Sequence, residues 1–129
     1  MINNKNNPLS PHIQIYGWNI SSLLSISHRI VGVINIIVIV FICLWLVLIS
    51  FGESNYEFIQ IFSQSFSGKF FTIALSWSFS FHVLNEIRHL AWDMGYGFDL
   101  KTSQITGIIT IFGSFILAIL IYLFARNVI

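Results

Sequence analysis

IVGVINIIVIVFICLWLVLISF, residues 30–51, runs twenty-two residues without a charge. Crossing a hydrocarbon core of about 30 Å takes about 20 apolar residues in helical conformation, so this stretch alone is long enough to span a bilayer. Two further stretches qualify. Residues 105–124 (ITGIITIFGSFILAILIYLF) are also uncharged, and residues 70–92 stay apolar until His82, Glu86, Arg88 and His89. The apolar runs are continuous rather than alternating, which excludes barrel strands, and backbone groups in lipid are satisfied within a helix. The expected fold is therefore all-α and integral to the membrane, with three transmembrane helices, about 24–51, 68–92 and 105–125, forming one up-down-up domain.

Composition points the same way. Hydrophobic residues make up 56% of the 129 and charged residues 9%, with a net charge of +1, and mean hydropathy is +0.82. An ordinary soluble domain is roughly 25% charged. A soluble globular domain, a disordered chain and a nucleic-acid binder are thereby excluded, and membrane lipid becomes the surrounding medium. One cysteine, Cys43, excludes an internal disulfide and a multi-thiolate metal site.

The flanks fit this division. Pro8 and Pro11 keep the first dozen residues out of a helix, and Tyr16 and Trp18 form an interfacial aromatic pair. Asn19, Ser21 and Ser22 are candidate N-caps. Residues 52–68 read as a surface loop with a short amphipathic helix near 58–66, and residues 94–103 (MGYGFDLKTS) as a second loop. Lys5, Arg29, Arg88 and Lys101 fall on one side of the membrane and Lys69 and Arg126 on the other, four against two. The N-terminus is thus expected on the cytoplasmic or matrix side. The opening MINNKNNPLSPH has no secretory-signal or transit-peptide pattern. With the Ile-, Phe- and Asn-rich composition, it leads to a bacterial or mitochondrial inner membrane as the expected location.

Ionisable residues inside membrane spans cost about 2.5–3.5 kcal/mol on insertion scales and are functional candidates for that reason. At about 100° per residue, Ser78, Glu86, His89 and Asp93 all lie within about 40° of His82, making one polar face; Arg88 lies about 120° away. On the first span Ser21, Ser25, His28, Gly32 and Asn35 form a stripe bordered by Arg29. Antiparallel pairing brings His28 and Arg29 to the depth of Glu86 and His89. His82 lies about 10 Å deeper than His89. Its imidazole either bonds to a facing hydroxyl or carbonyl, or ligates haem iron. His82 and His89 project from one helix face and cannot both ligate one haem. If His82 holds haem, the second axial ligand comes from another polypeptide or the iron is five-coordinate. Ser25 and Arg29 stand at i and i+4. Together they suit a quinone carbonyl that gains negative charge on reduction; alternatively Ser25 bonds locally and Arg29 snorkels to head groups. Gly107, Thr110, Ser114 and Ala118 have the spacing of a close helix contact. Asn35 is expected to bond across to another helix.

Three segments carry a family resemblance: PLSPHIQIY (8–16), SISHRIVGV (25–33) and HVLNEIRHLAWDMG (82–95). In order and spacing they resemble the cytochrome b subunit of succinate dehydrogenase, a membrane anchor of respiratory complex II. The resemblance implies a bundle completed by a second small membrane-anchor subunit, with iron–sulfur and flavoprotein subunits docked outside the membrane. It implies haem b with His82 as an axial ligand shared with the partner anchor, and ubiquinone as substrate at a site that includes Ser25 and Arg29. His28 becomes a candidate contact to the haem propionates. The chain would be non-catalytic on its own. A fumarate reductase anchor and a haem-free helical scaffold are the alternatives. In one place the sequence departs from the family segment, where Glu86 replaces a glycine. An ion pair between Glu86 and Arg29 is expected from their matched depth.

Overall fold

Asn19 adopts an extended conformation and begins the first helix, α1, which runs from Ile20 to Ile49. The computed structural model describes residues 17–128 and contains only helices there, joined by short turns. α2 spans Glu53–Gln64, α3 Phe66–Asp93 and α4 Leu100–Val128. Pro8, Pro11 and Tyr16, and the segment 8–16, lie outside the described residues. α1 and α4 are each long and apolar enough to cross a membrane.

α3 and α4 begin before their apolar runs, where hydroxyls bond to the backbone of the first turns. α4 starts five residues before the uncharged stretch, and Thr106 Oγ donates to the Thr102 carbonyl at 2.9 Å. The second loop therefore shrinks to residues 94–99. Gly95 and Gly97 turn it in left-handed conformations, φ +87° and +81°, which side chains rarely adopt. The Gly97 carbonyl accepts from Trp92 Nε1 at 3.2 Å, pinning the turn to the end of α3. In the first loop the short helix is α2, beginning five residues earlier than expected. Ser65 ends it: its backbone is extended, its hydroxyl donates to the Phe62 carbonyl at 2.6 Å, and it caps α3 by accepting from Gly68 N at 3.0 Å.

α3 runs antiparallel to both of its long neighbours. Ser78 meets Asn35 of α1 deep in the structure, and Arg88 meets Ser21 and Ser103 near the other end. On α4 the small-residue spacing does what it predicts: Gly107, Thr110, Ser114 and Ala118 are all buried. On α1 only Leu24, Val31 and Asn35 are buried, and no residue beyond Asn35 is.

Candidate functional site

The polar face of α3 and the polar stripe of α1 come together. The rings of His28 and His82 stack with centroids 4.3 Å apart and 15° between planes, and His89 lies beyond His28 at 5.3 Å. His82 itself makes no hydrogen bond: its Nδ1 is buried without a partner, and Glu86 Oε1 stands 4.0 Å from its Nε2. Gly32 is what lets the ring sit there. A Cβ at that position would lie 3.1 Å from His82 Cε1. His89 is held differently, with Nδ1 2.8 Å from the Asn85 carbonyl and its ring edge-on to Trp92.

Glu86 does not pair with Arg29. Its Oε1 is 3.1 Å from His28 Nε2, because His28 is the residue of the stripe that faces α3. Arg29, one residue and about 100° further round, is exposed on the border. Among the described residues Arg29 has no ion-pair partner, and Ser25, half-buried one turn before it, has no hydrogen-bond partner. Their donors are thus left uncommitted by the described residues. Imidazole nitrogens of His28 and His82 and a carboxylate oxygen of Glu86 all lie within 4.8 Å of one another, a donor set with the chemistry to ligate a metal.

Arg88 is the residue that the helical-wheel reading leaves without a place. It is buried, 6% exposed, and its guanidinium joins three helices. Nη2 donates to Ser21 Oγ at 3.1 Å and to Ser103 O and Oγ at 3.0 Å; Nε donates to Thr106 Oγ at 3.2 Å. The Trp92 ring lies under it at 4.1 Å. The offset of about 120° from His82 sends Arg88 to a different neighbour or to the interface, and the structure makes that neighbour α4 together with the start of α1. The remaining signal is the pair of hydroxyls on Ser103, at the end of the segment that reads as a loop, and Thr106, at the start of the third span.

Long apolar helices with histidines and a carboxylate brought together between two of them are what a helical membrane subunit presents. The sequence matches the family of succinate dehydrogenase/fumarate reductase transmembrane subunits over residues 3–121. It is 41% identical over 115 residues to the succinate dehydrogenase cytochrome b556 subunit of Rickettsia prowazekii, covering 89% of this chain and 90% of that one. It is 32% identical to the cytochrome b556 subunit of Paracoccus denitrificans, covering 92% of each. With the cytochrome b560 subunit of Reclinomonas americana identity is 33%, over 93% of this chain and 87% of the relative. The chain belongs to the succinate dehydrogenase/fumarate reductase transmembrane subunit family.

Proposed function

We propose that this chain is the cytochrome b anchor of a succinate:ubiquinone oxidoreductase, crossing the inner membrane three times through α1, α3 and α4 with its N-terminus on the cytoplasmic or matrix side. α3 is 28 residues long, about 42 Å at 1.5 Å per residue. Its Lys69, Glu86, Arg88 and Asp93 lie towards its two ends, so its apolar middle can sit in the hydrocarbon core. The second half of α1, in which no residue beyond Asn35 is buried, supports a partner anchor subunit beside it. The chain would serve with an iron–sulfur and a flavoprotein subunit that supply the electrons.

The observation that carries this reading is the uncommitted imidazole of His82. A buried nitrogen without a partner costs free energy unless something ligates or bonds it. Here the neighbours are a glycine, a stacked His28 and an exposed carboxylate. These residues fit haem b: His82 would be one axial ligand, the other coming from the partner anchor, and His28 a contact to the propionates. Bound there, haem supplies one-electron redox chemistry within the membrane. Ser25 and Arg29 would hold and orient the ubiquinone head group through donors that no described residue occupies.

The test is the reduced-minus-oxidised optical spectrum of the purified complex, in which a low-spin b-type signal is expected; its absence would reduce the chain to a scaffold. For the quinone site, Ser25→Ala and Arg29→Lys are expected to raise the ubiquinone KM about tenfold or more, since a hydrogen bond from a charged donor contributes about 1.5–3 kcal/mol. Electron delivery from succinate to a soluble dye should be unchanged. An unaltered KM in both variants would remove these residues from the site. Gly32→Val, which drives a branched side chain into His82, is expected to lower the haem-to-flavin ratio of the isolated complex well below that of the parent.

A further inference from the structure

Ser21, His28 and Asn35 are spaced seven residues apart on α1, two turns and about 10.5 Å each. Each meets α3. Asn35 Oδ1 accepts from Ser78 Oγ at 2.7 Å; His28 stacks on His82 and touches Glu86; Ser21 Oγ accepts from Arg88 Nη2. The histidine stack is therefore bracketed by a polar tie on either side. On the Arg88 side the tie is a closed set, because Ser21 Oγ and Ser103 Oγ are also 2.7 Å apart. Asn35, Ser78, Arg88 and Ser103 are each less than 9% exposed, and Ser21 is half-buried.

Apolar contacts alone set helix rotation poorly in a bilayer, because lipid is as apolar as the side chains it replaces; directional polar contacts do more. α1 depends on such contacts heavily, having three buried residues in thirty. Among the described residues, no carboxylate lies within 4.0 Å of Arg88. Its planar fork is instead directed at neutral oxygens on two helices, a geometry that a lysine ammonium cannot reproduce. We propose that Arg88 is a positioning residue: with the Asn35–Ser78 bond it fixes the register and rotation of α1 on α3, and so places His28, Ser25 and Arg29 relative to His82. This inference rests on the haem and quinone roles assigned above.

The experiment compares Arg88→Lys with Ser114→Ala in the assembled complex. Ser114 is fully buried on α4, but its hydroxyl bonds only within its own helix, to the Ile111 carbonyl, so it reports on packing alone. Arg88→Lys is expected to shift the haem midpoint potential and to raise the ubiquinone KM severalfold while kcat changes little; Ser114→Ala is expected to lower thermal stability only. If Arg88→Lys loses stability yet keeps the parental potential and KM, Arg88 is a structural rivet and the proposal fails. If Arg88→Lys does not assemble, Ser21→Ala, which keeps the cation and removes one acceptor, is held to the same two readouts. A parent complex without haem would sink the ligand assignment, whereas a haem-containing Arg88→Lys complex with parental behaviour sinks only this inference.

Discussion

In a complex carrying His82→Ala, the b-type haem signal is expected to vanish almost entirely, while the flavin and iron–sulfur spectra remain. No neighbouring imidazole is placed to substitute. His28 Nε2 lies 3.1 Å from Glu86 Oε1, and the His89 ring is tied to the Asn85 carbonyl and packed against Trp92. His28 lies beside His82 but is engaged by Glu86, and moving His89 to the depth of His82 would need a slide of about two helical turns. His28→Ala, by contrast, should leave the haem bound, with at most a shifted potential. The two variants together separate ligation from mere proximity, since the rings are stacked at 4.3 Å. A His82→Ala complex with the parental spectrum, measured at matched flavin content, would remove His82 as the ligand and with it the electron-carrying role.

The membrane nature of the chain and the His-bearing face of α3 are legible in the sequence because they depend on properties that add along the chain: hydropathy over about 20 residues and an angular period. The meeting of the α1 stripe with the α3 face, His28 at the depth of Glu86, follows from the same arithmetic once antiparallel packing is granted, whereas the stacking of His28 on His82 does not; the Asn35–Ser78 bond is the cross-helix partner that a buried asparagine requires. Two further features escape such reasoning. Glu86 meets His28 rather than Arg29 because rotation about the α1 axis, which no single-helix pattern contains, decides which of two adjacent residues faces the neighbour. Arg88 is a larger omission. Its angle on α3 leaves it a different neighbour or the interface, and only the hydroxyls of the first turns of α4, which continue the helix through a polar segment, make its burial tolerable. Helix ends extended by such hydroxyl-rich turns are where composition and structure disagree most in this chain.

Gly107→Val is expected to be the most destabilising single change in the membrane-embedded packing outside the histidine cluster. A Cβ on Gly107 would stand 2.7 Å from Leu24 Cδ1 and 3.0 Å from Ile20 Cγ2, so α4 and α1 touch there at a distance only glycine permits. Leu24 is 3% exposed and has little room to retreat. Overpacking of this kind costs about 1–3 kcal/mol in a well-packed interior. Here its consequence is directional, because the added methyls push α1 away from α4 beside the 2.7 Å contact between Ser21 and Ser103. Losing that contact removes an acceptor from Arg88 and loosens the end of α1 that carries Ser25, His28 and Arg29. The comparison is Gly113→Ala on the same helix, where the new Cβ would sit 3.4 Å from Leu84 Cδ1, close to ordinary contact; its effect should be small. Thermal unfolding of the purified complex, followed by loss of haem absorbance, should place Gly107→Val several degrees below the parent and Gly113→Ala within about a degree of it. Equal behaviour of the two would mean that α1 is held by its partner subunit rather than by α4, and the clamp around Arg88 would lose its role in aligning the site.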